Sequence, residues 1–410
     1  MSSEILTYVL PNGLRGIHIP AKSPVVHTAV MVKAGARDEP EESEGLAHFI
    51  EHTLFKGTRR RSMLQVLNCL DTYGGEINAY TTKEETCLYA STPLKYFRLS
   101  ADLLSDIVLH ATFPEKELEK EKEVVIEEIQ MYLDSPSEQI FDDFESAVFS
   151  GHELGCNILG TVSSLHRMKR RQLQQFIRKH YHAPAMVLCT SGDLTLTQVK
   201  QTALDFFAAL PSDTPVLSRK KPSRYRVSDK TVKRDTHQAH CMMGVPAYGA
   251  GHRKRTTLAL LTNLLGGPAM NSRLHLSIRE KNGLAYSVEA GYSVYSDSGL
   301  FTIYTGTDKQ NISRCSEIIG RELKKLRDQP LGATALHAAK RQLKGQLALS
   351  RENRLNVLLS AGKSMLVHNR IFSLEEIFGQ IDAVSAAGMQ ETANEIFDPK
   401  HLSQLVYLPE

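Results

Sequence analysis

GLAHFIEHTLFKGT, residues 45–58, is the segment from which the fold and the chemistry of this chain are inferred. It contains His48, Glu51 and His52 in the order H-x-x-E-H. Residues four apart on a helix lie one turn above each other, so both imidazoles would face one point. The spacing therefore predicts a helix that holds one metal ion between two histidines, with Glu51 on the open side of that ion.

This set of groups suits the hydrolysis of a peptide bond. A zinc ion lowers the pKa of a bound water to about 7, and a carboxylate can then take its proton before attack on a carbonyl. The alternative is two histidines that form ordinary hydrogen bonds at a helix surface. The motif alone does not separate these interpretations, so the surrounding sequence has to decide.

A catalytic zinc needs a third protein ligand, which should come from another element. Residues 114–134, PEKELEKEKEVVIEEIQMYLD, predict a helix that a proline and acidic residues open and that Ser135-Pro136 ends. Glu121 and Glu128 are seven residues apart and share a face with apolar side chains. A carboxylate beside apolar groups is costly unless it is paired or binds metal. The alternative is an ordinary charged helix.

Together the two segments resemble the M16 metallopeptidases, the superfamily of pitrilysin and the mitochondrial processing peptidase, and within it the short bacterial subfamily. In that family a glutamate ligand follows the second histidine by about 75 residues, and 75 residues separate His52 from Glu128. A further family glutamate lies seven residues before the ligand, at Glu121. The resemblance implies one Zn²⁺ per chain bound by His48, His52 and Glu128, with Glu51 as general base and Glu121 orienting the site.

Residues 271–287 resemble the C-terminal signature of the family, which has an arginine and a tyrosine seven apart. Arg279 and Tyr286 fit this spacing. The resemblance implies that they contact substrate: a guanidinium binds a carbonyl or carboxylate, and a phenol stabilises a developing oxyanion. Without it, Arg279 would be a helix-end ion-pair partner and Tyr286 an ordinary strand residue.

Residues 74–82, GGEINAYTT, predict a strand that two glycines open. In the family this region is an edge strand that pairs with extended substrate through backbone hydrogen bonds. The resemblance therefore implies substrate binding at Asn78, Ala79 and Tyr80. The alternative is a plain hairpin.

The layout of strands indicates a duplicated α+β unit. Residues 25–32, 86–90 and 185–189 in the first half correspond to residues 239–245, 300–304 and 403–407 in the second. We predict an N-terminal zinc-binding domain at 1–215 and a homologous domain at 216–410 that lacks the metal motif and carries Arg279 and Tyr286. The resemblance implies two α/β-sandwich domains of the LuxS/mitochondrial-processing-peptidase type, each a mixed or antiparallel sheet covered by helices.

The family encloses its substrate in a clamshell of four such units, so a chain with two units would have to dimerise. We expect a homodimer, with a heterodimer containing another M16-like chain as the alternative. The expected function is a zinc-dependent endopeptidase that hydrolyses short or unfolded peptides in a closed chamber. The alternative is a non-catalytic or partner-dependent subunit of a heterodimeric peptidase.

The composition of the 410 residues agrees with a globular enzyme, at 41% hydrophobic and 23% charged. The net charge of +3, 49 basic minus 46 acidic residues, does not favour nucleic acid as a partner. No apolar run is long enough for a membrane span. The N-terminus has no signal-peptide pattern, and six scattered cysteines suit a reducing compartment, so we expect a cytoplasmic location.

Overall fold

Two sheets account for the eleven strands in the computed structural model, which describes residues 5–214 and 219–410. The chain forms two units of mixed α/β structure. The first consists of the chain up to Gln130 with Cys156–Arg219 and Ser350–Phe372, and the second of Met131–Gly155, Lys220–Leu349 and Ser373–Glu410. The predicted boundary between residues 215 and 216 lies outside the described residues.

The first sheet has six strands: β1 (Leu6–Val9), β2 (Arg15–Pro20), β3 (Val25–Val32), β4 (Glu76–Thr81), β5 (Thr86–Pro93) and β6 (Met186–Gly192). Their order is β1-β2-β6-β3-β5-β4. The pair β2–β6 is parallel and the other pairs are antiparallel, so the sheet is mixed. Strand β4 stands at one edge and, among the described strands, pairs with β5 alone.

The second sheet has five strands: β7 (Asp229–Arg234), β8 (Ala239–Ala247), β9 (Ala285–Val294), β10 (Gly299–Thr307) and β11 (Ser403–Pro409). Their order, β7-β11-β8-β10-β9, repeats β2-β6-β3-β5-β4 of the first sheet. The parallel pair β7–β11 also corresponds to β2–β6. The predicted fold of two related α/β domains with mixed sheets is therefore confirmed.

Fourteen α-helices lie in the described part of the chain. In the first half they are α1 (Leu46–Leu54), α2 (Met63–Asp71), α3 (Phe97–His110), α4 (Glu115–Leu133), α5 (Pro136–Val148), α6 (Val162–Arg167), α7 (Arg170–His180) and α8 (Leu196–Phe207). In the second they are α9 (Arg255–Gly266), α10 (Ile312–Asp328), α11 (Ala333–Ser350), α12 (Arg354–His368), α13 (Leu374–Asp382) and α14 (Ala386–Ile396), with a π-helical turn at His275–Glu280. None of these described helices has the length and apolar character of a membrane span.

Helices α5 and α12 each belong to the unit formed mainly by the other half of the sequence. Helix α5 belongs to the second unit, where Ile140, Phe144 and Val148 form a helical stripe that packs with Met242 and Tyr407 of the second sheet. Burial of each such side chain contributes about 1.5–3 kcal/mol. Since each unit includes a helix from the other half of the sequence, neither unit is a continuous segment.

Helix α12 makes the reciprocal exchange and belongs to the first unit. Leu358, Ala361 and Met365 pack with Met31 and Cys189 on one face of the first sheet. The helix approaches this face closely at Gly362, where an added Cβ would lie 2.2 Å from the sulfur of Met31. This position therefore requires a residue without a side chain.

Candidate metal centre

The entrance to helix α1 fixes the position of the H-x-x-E-H motif. Gly45 has φ +86°, a left-handed conformation that favours glycine, and its Cβ position is blocked by the carbonyl oxygen of Leu159 at 2.5 Å. The backbone N–H groups of Gly45 and Ala47 donate to the carboxylate of Glu39 at 3.0 and 2.7 Å. This carboxylate satisfies N–H groups that a helix start leaves without partners.

Helix α1 has an apolar face and a face that carries the three motif residues. Leu46, Phe49 and Ile50 are completely buried on the apolar face. At 100° per residue, His48, Glu51 and His52 lie on the opposite side of the helix. The rings of His48 and His52 are 4.5 Å apart between centroids, as the four-residue spacing predicts.

Helix α4 brings the predicted third ligand to the two histidines. Oε2 of Glu128 lies 3.7 Å from Nε2 of His48 and 3.4 Å from Nε2 of His52. Two helical turns before Glu128 on the same helix, Oε1 of Glu121 lies 3.0 Å from Nδ1 of His52. The seven-residue spacing thus places the Glu128 carboxylate at the Nε2 atoms of both histidines and the Glu121 carboxylate at the Nδ1 atom of His52.

The three donors suit a zinc ion. One ligand atom from each of His48, His52 and Glu128 falls within 4.8 Å of the others. Zinc–nitrogen and zinc–oxygen bonds of 2.0–2.2 Å in a tetrahedron separate neighbouring ligand atoms by about 3.3–3.6 Å, close to the distances seen at Glu128. Across residues 5–214 and 219–410 this is the one such group of histidine, cysteine and carboxylate side chains.

The two histidines have different electrostatic surroundings. Burial, together with the neighbouring charge of His52, lowers the pKa of His48 to about 4, so His48 is neutral near pH 7. Burial also acts to lower the pKa of His52, but the hydrogen bond to Glu121 and the carboxylates around it outweigh burial and raise that pKa. A metal must displace the proton of a histidine to bind it, and His48 offers a free lone pair without this step.

Glu121 is held as a carboxylate behind His52. Burial acts to raise its pKa, but the hydrogen bonds from His52 and Lys56 are stronger in sum and lower it. Nζ of Lys56 lies 2.5 Å from the second carboxylate oxygen. A charged partner on the outer nitrogen fixes the orientation of a ligating histidine and increases its basicity.

Glu51 lies beside the donor group without forming part of it. Burial raises its pKa, and the nearby Thr81 and His52 oppose that rise only in part. Its Oε2 atom is buried and has no hydrogen-bond partner among the described residues. A buried carboxylate with a free oxygen and a raised pKa can accept a proton from a nearby group.

Two residues at the site were absent from the sequence prediction. Lys56, the partner of Glu121, comes four residues after His52 and lies beyond the end of α1. At this position, spacing along the sequence does not show which carboxylate it contacts. Thr81 ends β4, and the sequence indicates only that it belongs to a strand. Its position near Glu51 depends on how the sheet edge packs beside α1.

The predicted substrate-binding residues Asn78, Ala79 and Tyr80 lie on the edge strand β4, opposite Tyr89, Leu88 and Cys87 of β5. Side chains alternate along a strand, so Ala79 shares the face of Thr81, towards Glu51, whereas Asn78 and Tyr80 lie on the other face. Tyr80 is half-buried and packs against the cluster under α12. Its side chain therefore serves the core, and backbone groups at the free edge are available for pairing.

The predicted pair Arg279 and Tyr286 meets within the second unit. The guanidinium of Arg279 lies 5.1 Å from the ring centroid of Tyr286, within the range of a cation–π contact. Tyr286 is 79% exposed and lies on β9, the edge strand of the second sheet. Arg279 comes from the π-helical turn just before this strand.

Comparisons with known proteins agree with the geometry. Residues 18–162 match the family profile described as Insulinase (Peptidase family M16), and residues 167–343 match the profile described as Peptidase M16 inactive domain. An uncharacterised zinc protease of Bacillus subtilis, YmxG, is 34% identical over 98% of this chain and 98% of its own length. An uncharacterised zinc protease of Mycobacterium tuberculosis is 32% identical over 96% of this chain and 90% of its own length.

Two solved structures have the same fold. The peptidase M16 inactive domain from Pseudomonas fluorescens has a TM-score of 0.92 at 18% identity, covering 99% of this chain and 98% of its own. A protease from Helicobacter pylori has a TM-score of 0.90 at 20% identity and covers both chains completely. The resemblance inferred from the motifs is confirmed: the chain belongs to the M16 peptidase family, a family of metallopeptidases.

Proposed function

We propose that this chain is a zinc-dependent endopeptidase, with one Zn²⁺ held by His48, His52 and Glu128. The observation that carries the proposal is the convergence of three donor atoms from α1 and α4 within 4.8 Å, beside a half-buried glutamate whose Oε2 atom has no partner among the described residues. Zinc in this position would supply a Lewis acid that polarises a peptide carbonyl and lowers the pKa of water. The names of the relatives as zinc proteases agree with this proposal.

Glu51 is the general base in this proposal. Its free Oε2 atom accepts a proton from the attacking water, and the same carboxyl group then donates it to the departing amine. The raised pKa suits both steps, because the group has to hold the proton between them. Glu121 acts through His52: its hydrogen bond to Nδ1 leaves Nε2 directed towards Glu128 and the metal position.

The substrate would be a short or unfolded peptide in extended form. Strand β4 has one unpaired edge, and its end at Thr81 lies near Glu51. A peptide that pairs with the backbone of Asn78, Ala79 and Tyr80 would form a further strand of the sheet, with little demand on its side chains.

Arg279 and Tyr286 would complete the binding of substrate. Their contact presents a guanidinium and an exposed phenol on one surface of the second unit. The guanidinium can bind a peptide carbonyl or carboxylate, and the phenol can donate a hydrogen bond to a developing oxyanion. We propose that these groups act in a homodimer; a heterodimer with another M16-like chain is the alternative.

The test is Glu51→Gln in the full chain, with Glu115→Gln, an exposed change on α4, as control. We expect Glu51→Gln to retain about one zinc per chain, while its cleavage of an unfolded peptide falls by about 10²–10⁴-fold, since only the base is lost. Zinc content by elemental analysis and cleavage by mass spectrometry would be measured on the same samples. Undiminished cleavage would contradict the assignment of the base.

The same samples address the alternative function. A wild-type protein that holds zinc but cleaves no unfolded peptide would favour a partner-dependent subunit. A wild-type protein that binds no added zinc would contradict the peptidase proposal itself.

A further inference from the structure

A cavity of about 430 Å³ lies in the first unit beside the start of β2 and the end of α12. Its polar lining consists of two cations and two neutral side chains: Arg15, Lys33, Thr214 and Asn369. No carboxylate is present among the described lining residues. None of its lining residues belongs to the donor group on α1 and α4 or to the partners of that group. The cavity is therefore distinct from the candidate metal centre.

The guanidinium of Arg15 is held in a fixed position in this cavity without being neutralised. Its Nη1 atom donates to the carbonyl of Met365 at 2.9 Å and to Oδ1 of Asn369 at 3.1 Å, and Nη2 donates to the carbonyl of Pro184 at 3.2 Å. All three acceptors are uncharged. The buried Nε–H has no partner in the described part of the chain. The positive charge of the guanidinium thus remains without a counter-charge on its hydrogen-bond partners.

Lys33 is the second cation, and the carboxylates in its surroundings are already engaged. Asp38 accepts two hydrogen bonds from Arg219, at 2.9 and 2.7 Å, and Glu84 pairs with Arg37 at 2.7 Å. Burial, followed by repulsion from Arg219 and Arg15, lowers the pKa of Lys33, and the attraction of Glu84 and Asp38 opposes this only in part. The charge of Arg15 therefore disfavours the charged form of Lys33 in this cavity.

We propose that this cavity binds a small organic molecule with a phosphate or carboxylate group. The oxyanion would lie between Arg15 and Lys33, which are the groups that bind such anions most strongly. Leu366, Val367 and Pro184 provide an apolar wall for the organic part. The volume lies within the range of 300–1,000 Å³ that is usual for small-molecule sites. The proposal does not depend on zinc or on peptidase activity.

The experiment compares the wild type with Lys33→Met in the full chain. Phenyl phosphate and benzoate are the probes, inorganic phosphate tests the anion alone, and sodium chloride keeps the ionic strength constant. Methionine retains the length of the side chain, and the described residues offer Lys33 no side-chain hydrogen bond that the variant would lose. Lys22→Met, an exposed lysine outside the cavity, is the matched control.

We expect saturable binding of phenyl phosphate to the wild type and to Lys22→Met, and about tenfold or greater weakening in Lys33→Met, by calorimetry and by the rise in the unfolding midpoint. Without a probe, Lys33→Met should be at least as stable as the wild type, because a repelled cation is removed. A response to benzoate instead of phenyl phosphate would assign the carboxylate source. Absence of saturable binding by all three probes, or equal binding to Lys33→Met, would overturn the proposal.

Discussion

The two repeats have the same strand order, but they use the helix after the corresponding strand differently. Helix α1, which follows β3, has His48, Glu51 and His52 on one side. Helix α9, which follows β8, has the sequence RTTLALLTNLLG, with neither histidine nor glutamate, and buries Leu258, Leu261 and Leu265. Both helices thus bury an apolar face, but only α1 carries histidine and glutamate side chains.

The two repeats also differ at a second pair of corresponding helices, α4 and α11. Helix α4 brings Glu121 and Glu128 to the histidines, whereas α11, ATALHAAKRQLKGQLALS, has no carboxylate at all. Burial of His48 and Glu51 opposes folding, because each polar group loses water. The second repeat shows that the fold forms without them. The cost of these polar groups in the first repeat supports the proposal that they bind a metal ion.

The largest effect should follow from loss of the third donor. In Glu128→Gln we expect the zinc content to fall from about one per chain to near zero and peptide cleavage to fall by at least about a thousandfold. Glu127→Gln changes the exposed neighbour on the same helix and should leave both unchanged. Elemental analysis after dialysis measures the first quantity and peptide assays the second. Two zinc ions per wild-type chain would break the comparison, since the described part of the second repeat has no such donor group.

A smaller effect should follow from loss of the charge behind His52. Glu121→Gln can still accept a hydrogen bond from Nδ1, but it loses the negative charge and the ion pair with Lys56. We expect zinc affinity to fall by about 10–100-fold, as for other partners of ligating histidines. Competition with a chelator measures this change, with the exposed Glu123→Gln as control. An unchanged affinity would mean that Lys56 and Glu121 form only a structural pair.

The sequence predicts the metal-binding group well because its geometry is local. A four-residue spacing on α1 and a seven-residue spacing on α4 each determine which side chains share a face. Strand segments that recur along the chain also predict the duplicated unit, but the order of the strands within each sheet comes from the structure. What links α1 to α4 in the sequence analysis is the family resemblance alone.

Contacts between distant segments do not follow from local sequence patterns. The stripe of Ile140, Phe144 and Val148 predicts an amphipathic helix, yet apolar side chains do not specify which of two similar sheets they cover. Charge pairs are equally unspecific: Arg219 follows a proline-containing connection, and only the fold shows that it binds Asp38, 181 residues away. Which sheet a helix covers and which carboxylate an arginine binds depend on the free energies of alternative folded arrangements of the whole chain.

The smallest effect concerns the stability of the two helix entrances. Gly45→Ala places a Cβ near the carbonyl of Leu159 and forces alanine to φ +86°, so we expect the free energy of unfolding to fall by about 2 kcal/mol or more. Gly251, ahead of α9, has open space around its Cβ position and no positive φ, so Gly251→Ala should change stability by less than about 0.5 kcal/mol. Urea unfolding of metal-free protein measures both, which keeps zinc binding out of the result. Equal losses would show that the entrance to α1 is no more constrained than that of α9, and the positioning of the H-x-x-E-H motif by Gly45 would then have to be abandoned.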